Sequence, residues 1–378
     1  MDIYHVYYLK SEFPTNMIPK VYPMSKITTS SPESIADLLN DKLNLLLLRN
    51  ICSGNGLDVN LSYLSRHLGR HRNSIRDRVR GLLENRIIDR PIYPFFGLFI
   101  EYPLLVAAYA DLPDSEKVND WLMKDKNVFA AFRVREGEYN TILFEFHKSV
   151  WHYHIWRDNL VRENKIPGRG ERAPSTVYYF SNQLIEKYDP AAGMALIEEE
   201  FKREGEKIKI NGYTLDKLGL RVLQNLVNGE GIKLNENFLS KELGIHRRTI
   251  MKRISKLKAS GLILDPVCRF PSFFVPPNFL LVFSMVEIKG SREQIMKDIM
   301  QDPHVTLAYR ISEGRFNTLL FESHLSIEDY LVWEKRYTDR YPGCFGSAKI
   351  NYLSPRMTIS IDQQKVSLSI IEDRLKAL

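Results

Sequence analysis

Hydrophobic positions along this chain recur at helical spacing in two separate blocks. Leu43, Leu46 and Leu47, then Leu61, Leu64 and Leu68, follow the three-and-four interval of a stripe that faces a core. Leu218, Val222, Leu223 and Leu226 repeat that interval in the second block. Gly69 and Gly244 interrupt the pattern where a tight turn between helices needs a residue that tolerates positive φ. A third helix opens near Asn73-Ser74 and near Arg248-Thr249, turning Ile75, Val79 and Leu82, or Ile250, Ile254 and Leu257, toward the core. This grammar predicts a helix-turn-helix in each block. The stretches from Ile87-Ile88 to Phe95-Phe96 and from Leu262-Ile263 to Phe273-Phe274 predict a wing of paired strands after it.

Downstream, the period changes from helical to extended and back. Pro103 to Leu112 reads as a strand and Asp114 to Lys126 as a helix. Val128 to Arg135 and Tyr139 to His147 form a hairpin around Glu136-Gly137-Glu138, Ser149 to Asn164 is a second helix, and Thr176 to Leu184 a last strand. That order is the ferredoxin-like βαββαβ arrangement, and the second block repeats it from Asn278 to Ile361. The predicted class is therefore α+β, two tandem units each made of a winged helix-turn-helix and a ferredoxin-like domain. The boundaries follow as an irregular arm over 1–33, helix-turn-helix domains over 34–100 and 211–275, and ferredoxin-like domains over 101–188 and 276–362. A helical linker over 189–210 and a C-terminal helix over 363–378 complete the chain.

The duplication is explicit in the residues. An offset of 175 lays His67–Pro91 over Glu242–Pro266 with nine of 25 positions identical, and pairs Asp41-Lys42-Leu43 with Asp216-Lys217-Leu218. After a shift of two, Glu136–His147 pairs with Glu313–His324, and Trp156 with Trp333. Met194-Ala-Leu-Ile-Glu and Leu368-Ser-Ile-Ile-Glu close the two units with amphipathic stretches.

Composition narrows the picture. At 378 residues, 44% hydrophobic and 26% charged, the chain is ordinary for a folded protein of two or three domains. Apolar runs such as Leu43 to Leu48 fall far short of the roughly 18 residues a membrane span needs, and no membrane partner is expected. The start Met-Asp-Ile-Tyr-His builds no secretory signal, which predicts a cytoplasmic location. Cys52, Cys268 and Cys344 lie far apart and predict neither a disulfide framework nor a paired-cysteine zinc motif.

The formal charge of +7 changes meaning once it is located. Arg66 to Arg90 holds eight Lys or Arg against three acids, and Lys241 to Asp265 seven against two, while the remainder carries 38 basic and 41 acidic residues. The excess is therefore focused on the two third helices. A helix lying in a major groove needs basic and polar side chains to meet phosphates and base edges, so double-stranded DNA is the predicted partner. The contacts are assigned to Arg70, His71, Arg72, Asn73, Arg76 and Arg80, with His246, Arg247, Arg248, Thr249 and Lys252. Arg78 and Arg253 follow a core Ile by three residues and fit an ion pair within the domain as well as a phosphate contact.

With these motifs in view, the sequence resembles the Lrp/AsnC, or feast/famine, transcriptional regulators, above all over His246 to Ile263. Gly137-Glu138-Tyr139-Asn140 and Gly314-Arg315-Phe316-Asn317 are similar to that family's Gly-x-aromatic-Asp turn, with Asn replacing Asp in both copies. The resemblance implies that Gly137, Tyr139, Asn140, Gly314, Phe316 and Asn317 border a small-molecule effector site, for an effector such as an amino acid. It also implies an intramolecular pseudo-dimer on an imperfect palindrome, with homo-oligomers of the chain above that. No enzyme, cofactor or metal is expected. His152 and His154, two apart on a helix, point to different faces, and no nucleophile elbow or phosphate loop is present. Two alternatives remain. Siroheme decarboxylases are similar to the same architecture and would draw on His147, His324, Arg133 and Arg310 at matching positions. A ligand-sensing or assembly protein without DNA binding is the other.

Overall fold

The computed structural model describes residues 37–93, 102–134, 139–164, 175–181, 185–311, 315–353, 358–361 and 363–378. The predicted arm over 1–33, the hairpin residues Glu136-Gly137-Glu138, Gly314 and the first predicted wing beyond Tyr93 lie outside them. The described chain is mixed α and β, with two five-stranded and two two-stranded sheets.

Each helical block starts with a capped helix. In the first, α1 (Lys42–Cys52) is capped by Asp41, whose carboxylate accepts the Leu43 and Asn44 N–H groups. A three-residue strand β1 (Leu57–Val59), α2 (Leu61–His67) and α3 (Arg72–Glu84) follow. The second block repeats this with α7 (Lys217–Val227), β9 (Ile232–Leu234), α8 (Glu236–Leu243) and α9 (Arg247–Ala259). Gly69 and Gly244 take φ of +59° and +63° at the turns before the third helices. Ile75, Val79 and Leu82 are buried, as are Ile250, Ile254 and Leu257. The stripe on α1 differs from expectation: Leu45, Leu47, Leu48 and Ile51 are buried, whereas Leu43 and Leu46 are only half-buried. The unbroken leucine run from Leu45 to Leu48 carries little phase, so tertiary packing chose the face.

The two blocks are stitched together by reciprocal contacts. Strands β1 and β9 pair antiparallel with each other, Asp58 facing Lys233. Arg78 donates to Asp216, the cap of α7, through Nε at 3.1 Å, and Arg253 donates to Asp41, the cap of α1, at 2.6 Å. The guanidinium of Arg78 holds the Asp216 carboxyl below its usual range. Both arginines therefore bind an acid of the opposite copy rather than of their own domain. The expected wings also pair across copies: Ile92 and Val267 exchange hydrogen bonds of 2.8 and 3.0 Å in an isolated bridge. In the second copy the predicted wing strand gives way at Ser272–Phe274 to a left-handed turn with φ of 57°, 66° and 66°.

The sheets carry the second half of each unit. The first copy supplies β2 (Leu104–Ala110), α4 (Glu116–Lys124), β3 (Val128–Arg133), β4 (Thr141–His147), α5 (Val150–Asn164) and β5 (Ser175–Ser181). The second supplies β10 (Leu280–Ile288), α10 (Arg292–Gln301), β11 (Val305–Arg310), β12 (Thr318–His324), α11 (Ile327–Arg340) and β13 (Phe345–Leu353). Each set hydrogen-bonds antiparallel in the order fourth, first, third, second, and the exposed second-strand edge is covered by the other copy. Strand β6 (Ile185–Tyr188), which follows the first set, pairs with β11; β14 (Thr358–Ile361), which follows the second, pairs with β3. The helices behind them cross over as well: α6 (Gly193–Glu204) packs on α7, and α12 (Gln363–Ala377) on α1. Between α6 and α7 lies the hairpin of β7 (Lys207–Ile210) and β8 (Tyr213–Asp216), turned by Asn211-Gly212.

The two large sheets face each other through an aromatic layer. Phe144 meets Phe283 and Phe321 at centroid distances of 4.7 and 5.0 Å, and Phe273 meets Phe321 at 4.6 Å. Strand alternation then turns Leu143, Glu145 and His147 to the opposite face, where Val118 and Leu122 of α4 and Tyr153 of α5 complete a second core. In the other sheet, Leu320, Glu322 and His324 face Ile295 and Ile299 of α10 and Tyr330 and Trp333 of α11.

Candidate functional site

The third helices present their charge where the sequence placed it. Arg70, His71, Arg72, Asn73, Arg76 and Arg80 are exposed, as are His246, Arg247, Arg248, Thr249 and Lys252. His71 and His246 also cap their helices, each ring Nδ1 accepting the N–H of the residue two further on, Asn73 at 3.2 Å and Arg248 at 3.3 Å. Some of the charge is partnered within the chain. Arg80 reaches Asp77 at 3.2 Å, and Arg247 holds Glu236 at 2.7 Å. Among the described residues, no carboxylate lies within 4 Å of Arg70, Arg72, Arg248 or Lys252. The inward-facing Arg78 and Arg253 are instead tied to the caps of the opposite block.

In their described parts, the two turns expected to border an effector site are each fastened by their asparagine. Asn140 Oδ1 accepts the Leu112 N–H and its Nδ2 donates to the Leu112 carbonyl, both at 2.9 Å. Asn317 clamps Ile288 in the same way, at 2.9 and 2.7 Å. An amide offers a donor and an acceptor side by side, which an ionised carboxylate does not, and this gives a physical reason for Asn in both copies. The aromatic residues beside them converge. Tyr139 lies 6.4 Å from Tyr109, and Phe316 lies 6.2 Å from Tyr178, which itself packs on Tyr109 at 5.9 Å. Lys349 Nζ sits 3.7 Å over the Tyr109 ring, and Asn351 donates to the Tyr109 hydroxyl at 2.8 Å. Gly137 and Gly314 lie outside the described residues.

The densest chemistry is a feature that the sequence reading touched only through its histidines. Glu145 and His147 are buried side by side, with His147 Nε2 3.0 Å from Glu145 Oε2. Burial pushes the Glu145 carboxyl up and the His147 imidazole down to about 4, so the site disfavours the charged form of each. The second copy buries Glu322 and His324 at the same places, and adds His304, whose ring stacks on His324 at 4.8 Å, and Asp329. The signal available was the Glu-x-His spacing in both copies, which puts both side chains on one strand face. Because those faces are the outer, helix-covered ones, His147 and His324 lie on opposite sides of the paired sheets. Arg133 is occupied by the Leu112 and Pro113 carbonyls, Thr141 and Asn119, and Arg310 by Glu186 at 3.1 Å. These four residues do not converge on one cleft.

No family model and no curated protein matches the chain. Solved structures similar to it include the siroheme decarboxylase NirDL, at 10% identity and a TM-score of 0.47 over 89% of this chain and 99% of that one. The same enzyme in complex with an iron-uroporphyrin III analogue matches at 10% identity and a TM-score of 0.47 over 91% and 98%. The AldR regulator matches at 15% identity and a TM-score of 0.23 over 35% of this chain and 90% of that one. At such identities and TM-scores these likenesses establish no activity for this chain. The expectation that the chain is not an enzyme is corrected by this comparison, since the structures similar along most of its length include an enzyme. Among the described residues, no helix is long and apolar enough to cross a membrane.

Proposed function

We propose that the chain is a sequence-specific DNA-binding regulator of the Lrp/AsnC kind, with two helix-turn-helix modules and two ferredoxin-like domains in one molecule. The observation that carries this reading is the pair of matched third helices whose basic side chains are exposed, while the one inward arginine of each is neutralised by the opposite copy. Phosphate contacts need cations that are free to shed counterions, and among the described residues no carboxylate lies within 4 Å of Arg70, Arg72, Arg248 or Lys252. The antiparallel β1–β9 pairing relates the two modules by a local two-fold axis, the symmetry of a palindromic operator. The exposed runs differ, Arg70-His71-Arg72-Asn73-Ser74 against Ile245-His246-Arg247-Arg248-Thr249, so the two half-sites need not share one sequence. A small effector such as an amino acid is assigned to the cluster of Tyr139, Phe316, Tyr109, Tyr178 and Lys349 between the sheets.

The test is selection of bound duplexes from genomic or random DNA, with and without a panel of amino acids, followed by anisotropy titrations. Replacing Arg247 and Arg248 by Ala is expected to weaken binding of the selected duplex and to reduce the slope of log affinity against log salt by about 1 to 2. Failure of the intact protein to enrich or bind any duplex at moderate salt overturns the reading.

A further inference from the structure

On the outer face of the second sheet, three potential ligands stand together. The donor atoms of His304, His324 and Asp329 lie within 4.8 Å of one another. His304 Nε2 is 4.0 Å and His324 Nδ1 is 3.6 Å from Asp329 Oδ2. Donors around a tetrahedral zinc ion with bonds of about 2.0 Å sit about 3.3 Å apart, so the 3.6 Å pair is nearly at coordination spacing and the wider ones must close by about 0.7 to 1.5 Å through side-chain rotation. His324 is fully buried, and among the described residues its ring nitrogens face only the Glu322 and Asp329 carboxylates, at 3.5 and 3.6 Å, with no hydrogen bond made by either. An imidazole held dry without a hydrogen bond is costly unless something else satisfies it.

The surroundings match what orients metal-bound histidines. A ligating histidine turns its second nitrogen toward a carboxylate, which fixes the ring and strengthens the donor. His304 Nδ1 lies 2.9 Å from Asp302 Oδ1, and His324 Nε2 lies 3.5 Å from Glu322 Oε2. Asp302 is in turn pinned by Trp333, Arg336 and Tyr337 at 2.8 to 2.9 Å. His304 and Asp329 remain partly accessible, at 14% and 35%, which leaves a route to solvent and a coordination position for water or ligand.

The first copy works as an internal control. At the offset of 177 its equivalents are Asp125, Asn127, Glu145, His147, His152 and Trp156, and Trp156 holds Asp125 at 3.0 Å as Trp333 holds Asp302. The frame is kept, but Asn127 stands for His304 and His152 for Asp329, so the triad exists in one copy alone. We propose that His304, His324 and Asp329 form a binding site for one divalent transition-metal ion of the zinc class, oriented by Asp302 and Glu322 and specific to the second copy.

The tag-free full-length chain, stripped with a chelator, is titrated with Zn2+ against a chromophoric competitor, and with Co2+ while its visible absorption is followed. One ion per chain is expected, with Co2+ bands of low-symmetry nitrogen and oxygen coordination. His304→Asn, the residue that the first copy carries, and Asp329→Asn are each expected to weaken Zn2+ by at least about 100-fold and to abolish those bands, with unchanged circular dichroism. Zinc affinity unaltered in both variants, or the absence of zinc binding by the intact chain at micromolar concentration, overturns the site.

Discussion

Lys187 shows how one residue joins the two copies. It sits on β6, is buried, and donates to the Ile299 and Asp302 carbonyls at 3.1 and 2.7 Å, closing the C-terminal end of α10. Burial pushes its pKa down from 10.5 to about 8, with Asp189 and Asp302 opposing the shift. Between those values the unfolded chain binds more of this proton than the folded one, so the contribution of Lys187 to stability rises with pH across that window. Unfolding free energies of the native chain and of Lys187→Met, compared from pH 8 to 10.5, are expected to diverge in favour of the native chain by up to about 3 kcal/mol. A pH-independent difference would contradict the assignment. The sequence offered no hint of this lysine, because a basic residue in a short amphipathic stretch looks like a solvated one until another strand covers it.

At the scale of elements, the amides of Asn140 and Asn317 bind each β-hairpin to the end of its unit's first strand. Replacing Asn140 by Asp removes the donor and sets a carboxylate against the Leu112 carbonyl. The expected cost is about 1 to 3 kcal/mol, read from urea denaturation, with the loss recovered in part below the carboxylate range as the side chain regains a proton. An equal effect at all pH values would show that the amide donor was not the cause. The helices were legible because glycine turns, caps and three-and-four spacing are local signals. The β7–β8 hairpin was equally local but went unread: Asn211-Gly212, with φ of +48° and +84°, is the pattern of a two-residue turn between extended segments. The wing was misread for a different reason. Short extended stretches declare that they need partners and not which partners, and here Ile92 found Val267.

For the whole molecule, the exchange of β6 and β14 makes each half depend on the other. A separately produced first half would lack the strand that covers β3, and a second half lacking β6 would leave the β11 edge bare. Chains cut between β6 and α6 and coexpressed are expected to copurify in equimolar amounts, whereas each half alone is expected to aggregate or self-associate. Two soluble, monomeric halves by size-exclusion chromatography would contradict this mutual closure. The sequence by itself determined the internal similarity of the two blocks, the order of the main helices and sheet strands in each, the buried faces of the third helices and the basic character of their outer faces. Those properties depend on spacing and residue type within one unit. Only the tertiary structure decided that Arg78 and Arg253 pair across copies, that the closing strands change sheets, and that His304, His324 and Asp329 meet. Contacts between distant segments depend on which edges and faces remain unsatisfied once every element is packed, and no local pattern encodes that.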